Sequence, residues 1–344
     1  MGSQTNAPLP DGLALGGYRI LKKIASGGFS IVYLAEDDAG ERFAIKEYLP
    51  STLVRRKPGE LSPTIATENV ATYRNGLKCF FEEGRALARI LHPNVVRVLN
   101  FFRANDTVYM VMAYEQGRSL QELILRNRGR DAGSRGREPR VVIAERHIRR
   151  VFNQVMNGLR EVHTNRLLHL DLKPANVYLR LDGSPMLLDF GAARQTLSSD
   201  APKLFPMYTP GFAAPELYRK AQQLGPWTDV YGLGASMFAC MMGAPPQASD
   251  QRELNDRMGE LFALLEKSYS KHLVDTVAWC LKLNPLERPQ SVFALQRALR
   301  AGAPDPDAEP ADERGAGLGR WLDTIAGRIT GRRRQSDEPI SLDP

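Results

Sequence analysis

Five side chains that could share one reaction lie between residues 168 and 191: His169, Asp171, Lys173, Asn176 and Asp189. The first four belong to the segment LHLDLKPANV, and the fifth follows an apolar strand pattern in MLLDFG. Transfer of a γ-phosphate requires Mg²⁺ held by hard oxygen ligands, a carboxylate near the attacking hydroxyl and a cation near the transferred group. Asp189 and Asn176 offer the oxygens. Asp171 offers the carboxylate and Lys173 the cation, so the pattern predicts a phosphoryl-transfer site.

Two earlier segments fit the same chemistry. ASGGFSIVY lies between two predicted strands, and a glycine-rich hairpin lets backbone N–H groups approach phosphates without obstruction by side chains. This signal is weak by itself, because most short glycine-rich turns are only turns. Lys46 falls on the next apolar strand, where a lysine is costly to bury unless it is paired. Glu83, on the helix that follows, is a candidate partner, and two unrelated surface charges are the alternative.

Short strands must position the first of these residues. The strand patterns from residue 18 onward are YRILKKIA, SIVYLAE, RFAIKEYL, VVRVLNFF and TVYMVMAY. Residues 50–75 are polar and interrupted by proline, and they are predicted to be an insertion. CFFEEGRALARIL then has helical periodicity, with apolar residues at Phe80, Leu87, Ile90 and Leu91.

After Gly117 the pattern becomes helical. SLQELILRN and VIAERHIRRVFNQVMNGLREVHTN read as helices, short strands follow around Val177 and Met186, and helices dominate from Asp229 onward. A strand-rich first third followed by a helix-rich remainder predicts an α+β fold with two lobes. The connecting residues 114–119 then predict a cleft between the lobes, which is where ligands commonly bind.

This organisation predicts four regions. They are an N-terminal extension (1–17), a small strand-rich lobe with one main helix (18–115), a larger helical lobe (116–300) and a tail (301–344) with a composition typical of disorder. Within the tail, residues 317–331 predict a short amphipathic helix with a basic end and one apolar face: Leu318, Trp321, Leu322, Ile325 and Ile329. Docking on anionic lipid or on the lobes is one interpretation, and a solubilising tail is the equal alternative.

Composition excludes several classes of protein. The chain has 344 residues, of which 43% are apolar and 25% charged, as in ordinary soluble globular proteins. No apolar run approaches the ~18 residues that span a bilayer, and the N-terminus lacks the pattern of a secretory signal. The three widely spaced cysteines (Cys79, Cys240 and Cys280) argue against a disulfide framework and a zinc site, and they favour a cytoplasmic location.

The positive charge is unevenly distributed. The net charge is +7, and residues 126–150 hold nine arginines against three carboxylates. One interpretation is a binding surface for an acidic partner or nucleic acid. Because RNRGRDAGSRGR has no aromatic residue on which bases could stack, a solvated loop and a charged helix face are favoured, and nucleic acid is not expected as a partner.

These motifs together resemble a eukaryotic-type (Hanks-type) protein kinase domain from Tyr18 to Arg300. The segments IKEYLP and HLDLKPAN are similar to bacterial serine/threonine protein kinases in particular. The resemblance implies the bilobal protein-kinase fold, with a strand-rich N-lobe and a helical C-lobe. It also implies the cofactors ATP and Mg²⁺, with Mn²⁺ as an alternative ion.

The resemblance assigns a role to each matching residue. Lys46 would position the α- and β-phosphates, with Glu83 as its partner on the helix. Asp171 would be the catalytic base with Lys173 beside it, and Asn176 and Asp189 would hold the metal. Nucleotide binding would involve Ile24, Ala25, Ser26, Gly27, Gly28, Val32, Ala44, Lys46, the gatekeeper Met112, the hinge Ala113, Tyr114 and Glu115, and Tyr178.

Three further residues of the C-lobe match the family pattern. Glu216 of the Ala-Pro-Glu motif and Arg288 would form a buried ion pair, and Asp229 would be a second anchor. In the segment TPGF, Thr209 matches the threonine that braces Asp171 and is predicted to be structural. Thr196, Ser198, Ser199 and Tyr208 are the other hydroxyl residues of this activation segment.

The sequence departs from the family pattern at three positions. Ala25 and Ser30 replace the first and third glycines of the glycine-rich loop, which should stiffen the loop without blocking nucleotide binding. Leu170 replaces the arginine that, in most regulated kinases, pairs with a phosphate on the activation segment. The chain is therefore expected not to depend on that phosphorylation in the usual way.

Two functions of different classes compete. The first is a serine/threonine protein kinase that phosphorylates proteins, including itself. The second is a nucleotide-binding pseudokinase or scaffold that acts through the Arg/Gly loop or the basic tail. Lys46, Asp171, Asn176 and Asp189 discriminate between them, and because all four are present the sequence favours the active enzyme.

Overall fold

The first part of the chain forms an antiparallel sheet with one long helix. The computed structural model describes residues 4–131, 142–190, 194–195, 209–219 and 223–302. The elements of this part are β1 (Ala14–Leu15), β2 (Tyr18–Gly27), β3 (Ser30–Glu36), β4 (Arg42–Tyr48), β5 (Val54–Arg55), β6 (Thr64–Ile65), α1 (Val70–Leu87), β7 (Val98–Ala104) and β8 (Thr107–Ala113).

The sheet sends two neighbouring charged residues to opposite sides. Its strand order is β1-β2-β3-β4-β8-β7, and each pairing is antiparallel. Lys46 lies opposite Val32 on one side and Met110 on the other, so these three side chains share one face. Glu47 lies opposite Tyr109 and belongs to the other face.

The predicted strands are found, with shifts at several boundaries, of which the largest is at β7. VVRVLNFF was predicted to start at Val95, but β7 begins at Val98. Val95 forms an isolated bridge with Leu187, and the Val96 N–H donates to the Leu187 carbonyl at 3.0 Å. The first residues of this apolar run therefore pair with the second lobe instead of continuing the sheet of the first.

The helix that carries Glu83 packs on the Lys46 face, and its bounds differ from the prediction. The pattern predicted residues 79–91, whereas α1 spans Val70–Leu87. The earlier start follows from Tyr73, which is buried and extends the apolar face toward the N-terminus. The helix ends at Leu87, and the N–H groups of Arg89 and Ile90 bond to carbonyls three residues back instead of four. Leu91, predicted to be apolar and helical, is 74% exposed.

The opposite face of the sheet, called here the outer face, is covered by two segments. These are residues 4–10, the N-terminal strap, and residues 49–69, the β4–α1 segment. Leu9 of the strap is buried, and its N–H donates to the Tyr33 hydroxyl at 3.0 Å. The Arg56 backbone forms hydrogen bonds with the strap through both its N–H and its carbonyl. The stretch predicted as a polar insertion therefore helps to bury the second face of the sheet.

The second part of the chain is mainly helical. Its elements are β9 (Gly117–Ser119), α2 (Leu120–Asp131), α3 (Glu145–Thr164), β10 (Leu167–Leu168), β11 (Val177–Arg180), β12 (Pro185–Leu187), β13 (Arg194–Gln195), α4 (Pro215–Tyr218), α5 (Pro226–Met242), α6 (Ser249–Arg252), α7 (Met258–Leu265), α8 (Lys271–Cys280) and α9 (Val292–Ala301). The predicted α+β, two-lobed fold is confirmed.

Helix α5 is the centre of this part. Its residues from Thr228 to Met241 are buried, and α3 and α8 pack against it. The helix begins with Pro226, whose missing N–H is not needed in the first turn. It ends at Gly243, whose φ of 78° is the left-handed conformation that glycine adopts most easily. This buried helix therefore supports the site residues of the second lobe in fixed positions.

Several predictions concern residues outside the described ranges. These are most of the Arg/Gly loop, the hydroxyl residues Thr196, Ser198, Ser199 and Tyr208, and the tail helix 317–331. In the described ranges, no helix is long and apolar enough to cross a membrane. Cys79, Cys240 and Cys280 all lie in the described ranges and form no disulfide bond there.

Candidate active site

Lys46 and Asp189 meet across the cleft. The Lys46 ammonium lies 2.5 Å from Asp189 Oδ1, and the two side chains are 8% and 47% exposed. Burial acts to lower the pKa of Lys46, but Asp189 and Glu83 outweigh it and raise that pKa. Partial burial acts to raise the pKa of Asp189, but Lys46 lowers it to about 2. At neutral pH both groups are charged, and the pair ties the first lobe to the second.

Glu83 is near Lys46 but is not its ion-pair partner. The predicted Lys46–Glu83 contact is absent, because no oxygen of Glu83 lies within 4.0 Å of the Lys46 nitrogen. Burial raises the pKa of Glu83 to about 8, against the opposing effect of Lys46, and Oε1 is buried without a hydrogen-bond partner. Glu83 is therefore largely protonated at neutral pH, and Lys46 pairs with the ionised Asp189 instead.

Asp171, Lys173 and Thr209 form a closed ring of hydrogen bonds. Lys173 Nζ donates to Asp171 Oδ2 at 2.6 Å and to Thr209 Oγ1 at 3.0 Å. The Thr209 hydroxyl donates to Asp171 Oδ1 at 3.0 Å, so the predicted bracing by Thr209 is present. Asn176 Nδ2 donates to Asp171 as well, at 3.1 Å. Thr209 thereby fixes the end of the activation segment onto the loop that carries Asp171.

Asp229 holds the backbone of that loop. Its carboxylate accepts the N–H groups of His169 at 2.9 Å and Leu170 at 2.8 Å. His163 Nε2 is 2.7 Å from the same carboxylate. Burial acts to raise the pKa of Asp229, but the hydrogen bond from His163 and the nearby imidazoles lower it. Leu170 has a φ of 61°, an unfavourable region for a non-glycine residue, and the two N–H bonds hold it there.

The His169 ring is uncharged and packs in the core. It is fully buried, and burial lowers its pKa. Nε2 is 3.1 Å from the Leu188 carbonyl, which can only accept, so Nε2 carries the proton. The ring also packs on Phe190, with centroids 4.4 Å apart. Phe190 is buried, and this contact helps to turn the preceding residue, Asp189, toward the cleft.

An apolar surface suited to a planar base lies on the Lys46 face of the sheet. Val32, Ala44 and Met112 are partly exposed there, on the adjacent strands β3, β4 and β8. Tyr178 lies on β11 of the other lobe, and its hydroxyl donates to the Glu115 carbonyl at 3.2 Å. The predicted hinge and floor residues are thus in direct contact. Burial raises the pKa of Tyr178 to about 12, so its phenol stays protonated.

One hinge contact was not predicted. Arg180 Nε lies 3.2 Å from Glu115 Oε1, so the side chain as well as the backbone of Glu115 is tied to β11. Arg180 lies two residues after Tyr178, on the same side of a strand by period-two alternation, and this spacing was the available signal.

The glycine-rich turn fits a phosphate group. Ala25 and Ser30, which replace the family glycines, lie in the β2–β3 ladder opposite Val32 and Gly27. A Cβ atom at Gly27 would meet nothing within 4 Å, so packing within the protein does not require glycine there. A ligand approaching closely would require it. Ile24, which is 41% exposed, lies on β2 of the same hairpin.

The two residues predicted to hold a metal have donor atoms that suit a hard cation. Asp189 and Asn176 offer a carboxylate and an amide oxygen, which are the donors that Mg²⁺ prefers. The Asn176 amide nitrogen is used by Asp171, which leaves its oxygen as the free donor. Among the residues that the structure describes, no group of three or more His, Cys, Asp or Glu side chains could hold a metal ion.

A sequence profile described as the protein kinase domain matches residues 18–299. The chain belongs to the protein kinase family. It is 27% identical to the serine/threonine-protein kinase Nek3 of Mus musculus over 83% of this chain and 50% of that protein. It is 28% identical to a probable serine/threonine-protein kinase KIN1 homolog of Enterocytozoon bieneusi over 68% of this chain and 34% of that protein. The chain thus spans a third to a half of these relatives.

Solved structures agree with this assignment. PpkA-294 in its apo form has 34% sequence identity and a TM-score of 0.71, with 85% of this chain and 99% of that one covered. The PknI kinase domain of Mycobacterium tuberculosis has 21% identity and a TM-score of 0.57, with 86% and 100% covered, and supports the fold. The predicted family is confirmed, and the serine/threonine protein kinases among these relatives support the predicted enzyme class.

Proposed function

We propose that the protein transfers the γ-phosphate of ATP to serine or threonine hydroxyls of proteins, including its own. The observation that carries this proposal is the ring of Asp171, Lys173 and Thr209. Such a ring holds a carboxylate and a cation in the fixed relation that phosphoryl transfer to a hydroxyl needs. It lies in the same cleft as the Lys46–Asp189 pair, which suits the nucleotide phosphates.

Each of the predicted site residues has its own task in the proposed mechanism. Asp171 orients the attacking hydroxyl and accepts its proton. Its carboxylate is held in position for this task, since Lys173 and Thr209 each donate a hydrogen bond to one of its oxygens. Lys173 supplies positive charge beside that carboxylate and stabilises charge on the transferred group. Lys46 fixes the α- and β-phosphates. Asn176 and Asp189 would hold Mg²⁺, or Mn²⁺ in its place, and the ion would neutralise phosphate charge when bound.

The intact mass of the full chain after incubation with Mg²⁺ and ATP tests this proposal. The wild type should gain one or more phosphoryl groups that map to serine or threonine. Asp171→Asn should gain none. Asp182→Asn is the matched control, because Asp182 lies in the exposed β11–β12 turn and bonds only within it, so it should behave as the wild type does.

The same measurement weighs the second candidate, a nucleotide-binding pseudokinase or scaffold. The unpaired buried Glu83 favours it, because Lys46 is not held by Glu83. Absence of phosphoryl gain in the wild type, together with a rise in melting temperature on addition of ATP, would support the scaffold and contradict the enzyme.

We further propose that activity does not require a phosphorylated activation segment. Leu170 occupies the position from which an arginine would reach such a phosphate, and its backbone is held by Asp229 instead. Treatment of the purified protein with a phosphatase should change its activity toward a protein substrate by less than about threefold. A hundredfold fall would contradict this part of the proposal.

The remaining predictions stay proposals. The lobes divide at residues 115 and 116, after an extension (1–17) and before the tail (301–344). The protein acts in the cytoplasm, and the basic helix 317–331 provides a contact with an anionic surface or a partner. Removal of residues 301–344 should then abolish sedimentation with anionic vesicles while phosphoryl transfer in solution is kept.

A further inference from the structure

The turn between β2 and β3 is held from the outer face. Three consecutive carbonyls of this turn accept hydrogen bonds from elsewhere in the chain. The Gly27 carbonyl accepts from Gln4 Nε2 at 3.1 Å, and the Phe29 carbonyl accepts from the Leu49 N–H at 2.7 Å. The Gly28 carbonyl accepts from both the N–H (2.8 Å) and the hydroxyl (3.2 Å) of Ser51.

Gln4 joins the turn to the β4–α1 segment. The same Nε2 that bonds Gly27 donates to the Leu49 carbonyl at 2.8 Å, while Oε1 accepts the Asn6 N–H at 3.1 Å. This pattern fixes the orientation of the amide, because the reverse orientation would place an oxygen between two carbonyls. The strap itself is anchored beyond Gln4, since Asn6 accepts the Arg56 N–H at 2.8 Å.

These contacts decide where the free N–H groups of the turn point. In a trans peptide the N–H is opposite the preceding carbonyl. Tying the carbonyls of Gly27 and Gly28 to the outer face therefore directs the N–H groups of Gly28 and Phe29 to the opposite side. No acceptor for either N–H lies among the described residues. Two adjacent free N–H groups form a site for an anion.

We propose that Gln4 and Ser51 are positioning residues, which set the N–H groups of Gly28 and Phe29 for the phosphates of the nucleotide. This inference rests on the proposed function, because it needs a nucleotide in the cleft. Both residues act through backbone carbonyls of the turn. Their hydrogen bonds add to the stiffening expected from Ala25 and Ser30, so that the turn is held in one conformation before the nucleotide arrives.

The affinities of ATP and of adenosine, which has no phosphates, test this proposal. Both are measured by calorimetry on the full chain, with melting temperature and phosphoryl transfer in parallel. Gln4→Glu keeps Oε1 but removes the Nε2 donor. It should weaken ATP binding three- to tenfold and change adenosine binding less than twofold. Ser51→Ala should weaken ATP binding two- to threefold, and Ser51→Thr, which keeps the hydroxyl, should restore it.

Thr5→Ala is the matched control. Thr5 lies on the strap and accepts from Arg55 at 2.8 Å, away from the turn, so this variant should bind both ligands as the wild type does. Unchanged ATP affinity in Gln4→Glu would overturn the proposal. Equal weakening of ATP and adenosine would overturn it too, because that result indicates a general structural role. If the wild type bound ATP no better than adenosine and transferred no phosphate, the proposed function itself would fail, and this inference with it.

Discussion

Among the described residues, each lobe has one fully buried arginine–glutamate pair, and the two pairs differ in what else they contact. In the C-lobe, Arg288 donates to both oxygens of Glu216, at 2.7 and 2.9 Å. In the N-lobe, Arg56 donates to both oxygens of Glu47, at 2.5 and 2.8 Å. All four side chains are 0% exposed.

The C-lobe pair is completed on the arginine side. Arg288 also donates to the carbonyls of Lys282, Leu283 and Trp227, and its guanidinium lies 5.0 Å from the ring centroid of Tyr231. The described donors to Glu216 all come from Arg288. The pair therefore joins α4 to the chain after α8, and the carboxylate depends on one partner.

The N-lobe pair is completed on the glutamate side. Glu47 also accepts from the hydroxyls of Tyr33 and Tyr109, each at 2.8 Å, and Arg56 holds the strap through the Ala7 carbonyl. The carboxylate is thus shared by three side chains. The arginine–glutamate pair of the C-lobe therefore connects two segments, whereas that of the N-lobe belongs to a hydrogen-bond network that covers the outer face of the sheet.

Among the variants that test this comparison, Arg288→Met should have the largest effect on stability. It leaves the Glu216 carboxylate buried without its arginine and should destabilise the protein by about 3–5 kcal/mol. Urea unfolding would measure this loss, and the exposed Arg297→Met should change stability by less than about 0.5 kcal/mol. A loss below about 1 kcal/mol would mean that water or another donor reaches Glu216.

Arg56→Met should destabilise somewhat less, by about 2–4 kcal/mol, because two tyrosine hydroxyls still bond Glu47. Hydrogen exchange should also quicken in residues 4–10, which lose the Arg56 side chain. Arg55→Met is the matched control, since Arg55 is exposed and bonds Thr5. If the loss equalled that of Arg288→Met, the tyrosines would contribute nothing to holding the charge.

The stability contributed by Glu83, whose Oε1 is buried, should depend on pH. Its folded pKa of about 8 lies above its ordinary value of 4.5, so the stability that it contributes is full below pH 4.5 and is lost as pH rises through 8. The free energy of unfolding of the wild type should fall by on the order of 2–4 kcal/mol between pH 5 and 9, and that of Glu83→Gln should fall much less. The exposed Glu82→Gln should follow the wild type, and a Glu83→Gln profile parallel to the wild type would refute the pKa assignment.

The double variant Arg56→Met with Glu47→Leu should be more stable than Arg56→Met by about 1–2 kcal/mol, because it removes the buried unpaired charge. A thermodynamic cycle with both single variants measures this coupling. Additive losses would show that Arg56 acts mainly through its contacts with the strap.

Tyr109→Phe should have the smallest effect. It removes one of several donors to Glu47 and should destabilise the protein by about 1–2 kcal/mol. Unfolding in urea measures the change. Phe102→Leu, on the ring that stacks on Tyr109, separates lost packing from the lost hydrogen bond. If Tyr109→Phe were neutral, Arg56 would be sufficient for Glu47.

The C-lobe pair was predictable, and the N-lobe pair was not. Glu216 and Arg288 lie in motifs that the family shares, so their pairing follows from the resemblance. Glu47 stands beside Lys46 in an apolar strand, and the argument that a buried charge needs a partner was applied only to the lysine. The near-continuous apolar runs of β3 and β8 also indicate strands buried on both faces. What covers the second face is a tertiary contact between segments far apart in sequence.

Site residues were predictable by kind, and their pairings less so. The sequence places Asp171, Lys173 and Thr209 in one motif set, and the structure brings them together. It could not show that Lys46 would choose Asp189 over Glu83, because that choice depends on how deeply each carboxyl is buried. The start of α1 was missed because VATYRNGLK has few apolar residues, although Tyr73 lies on the buried face.

The strap begins at Gln4, beside the turn that lies over the cleft. This position has a practical consequence for protein engineering. An affinity tag, a fluorescent protein or a surface tether placed directly before the strap lies within a few residues of Gln4, and so of the Gly27 carbonyl. Tension or crowding at that attachment is passed to the turn over the cleft. For kinetic or single-molecule work, such an attachment is therefore better placed after residue 302, where helix α9 has ended.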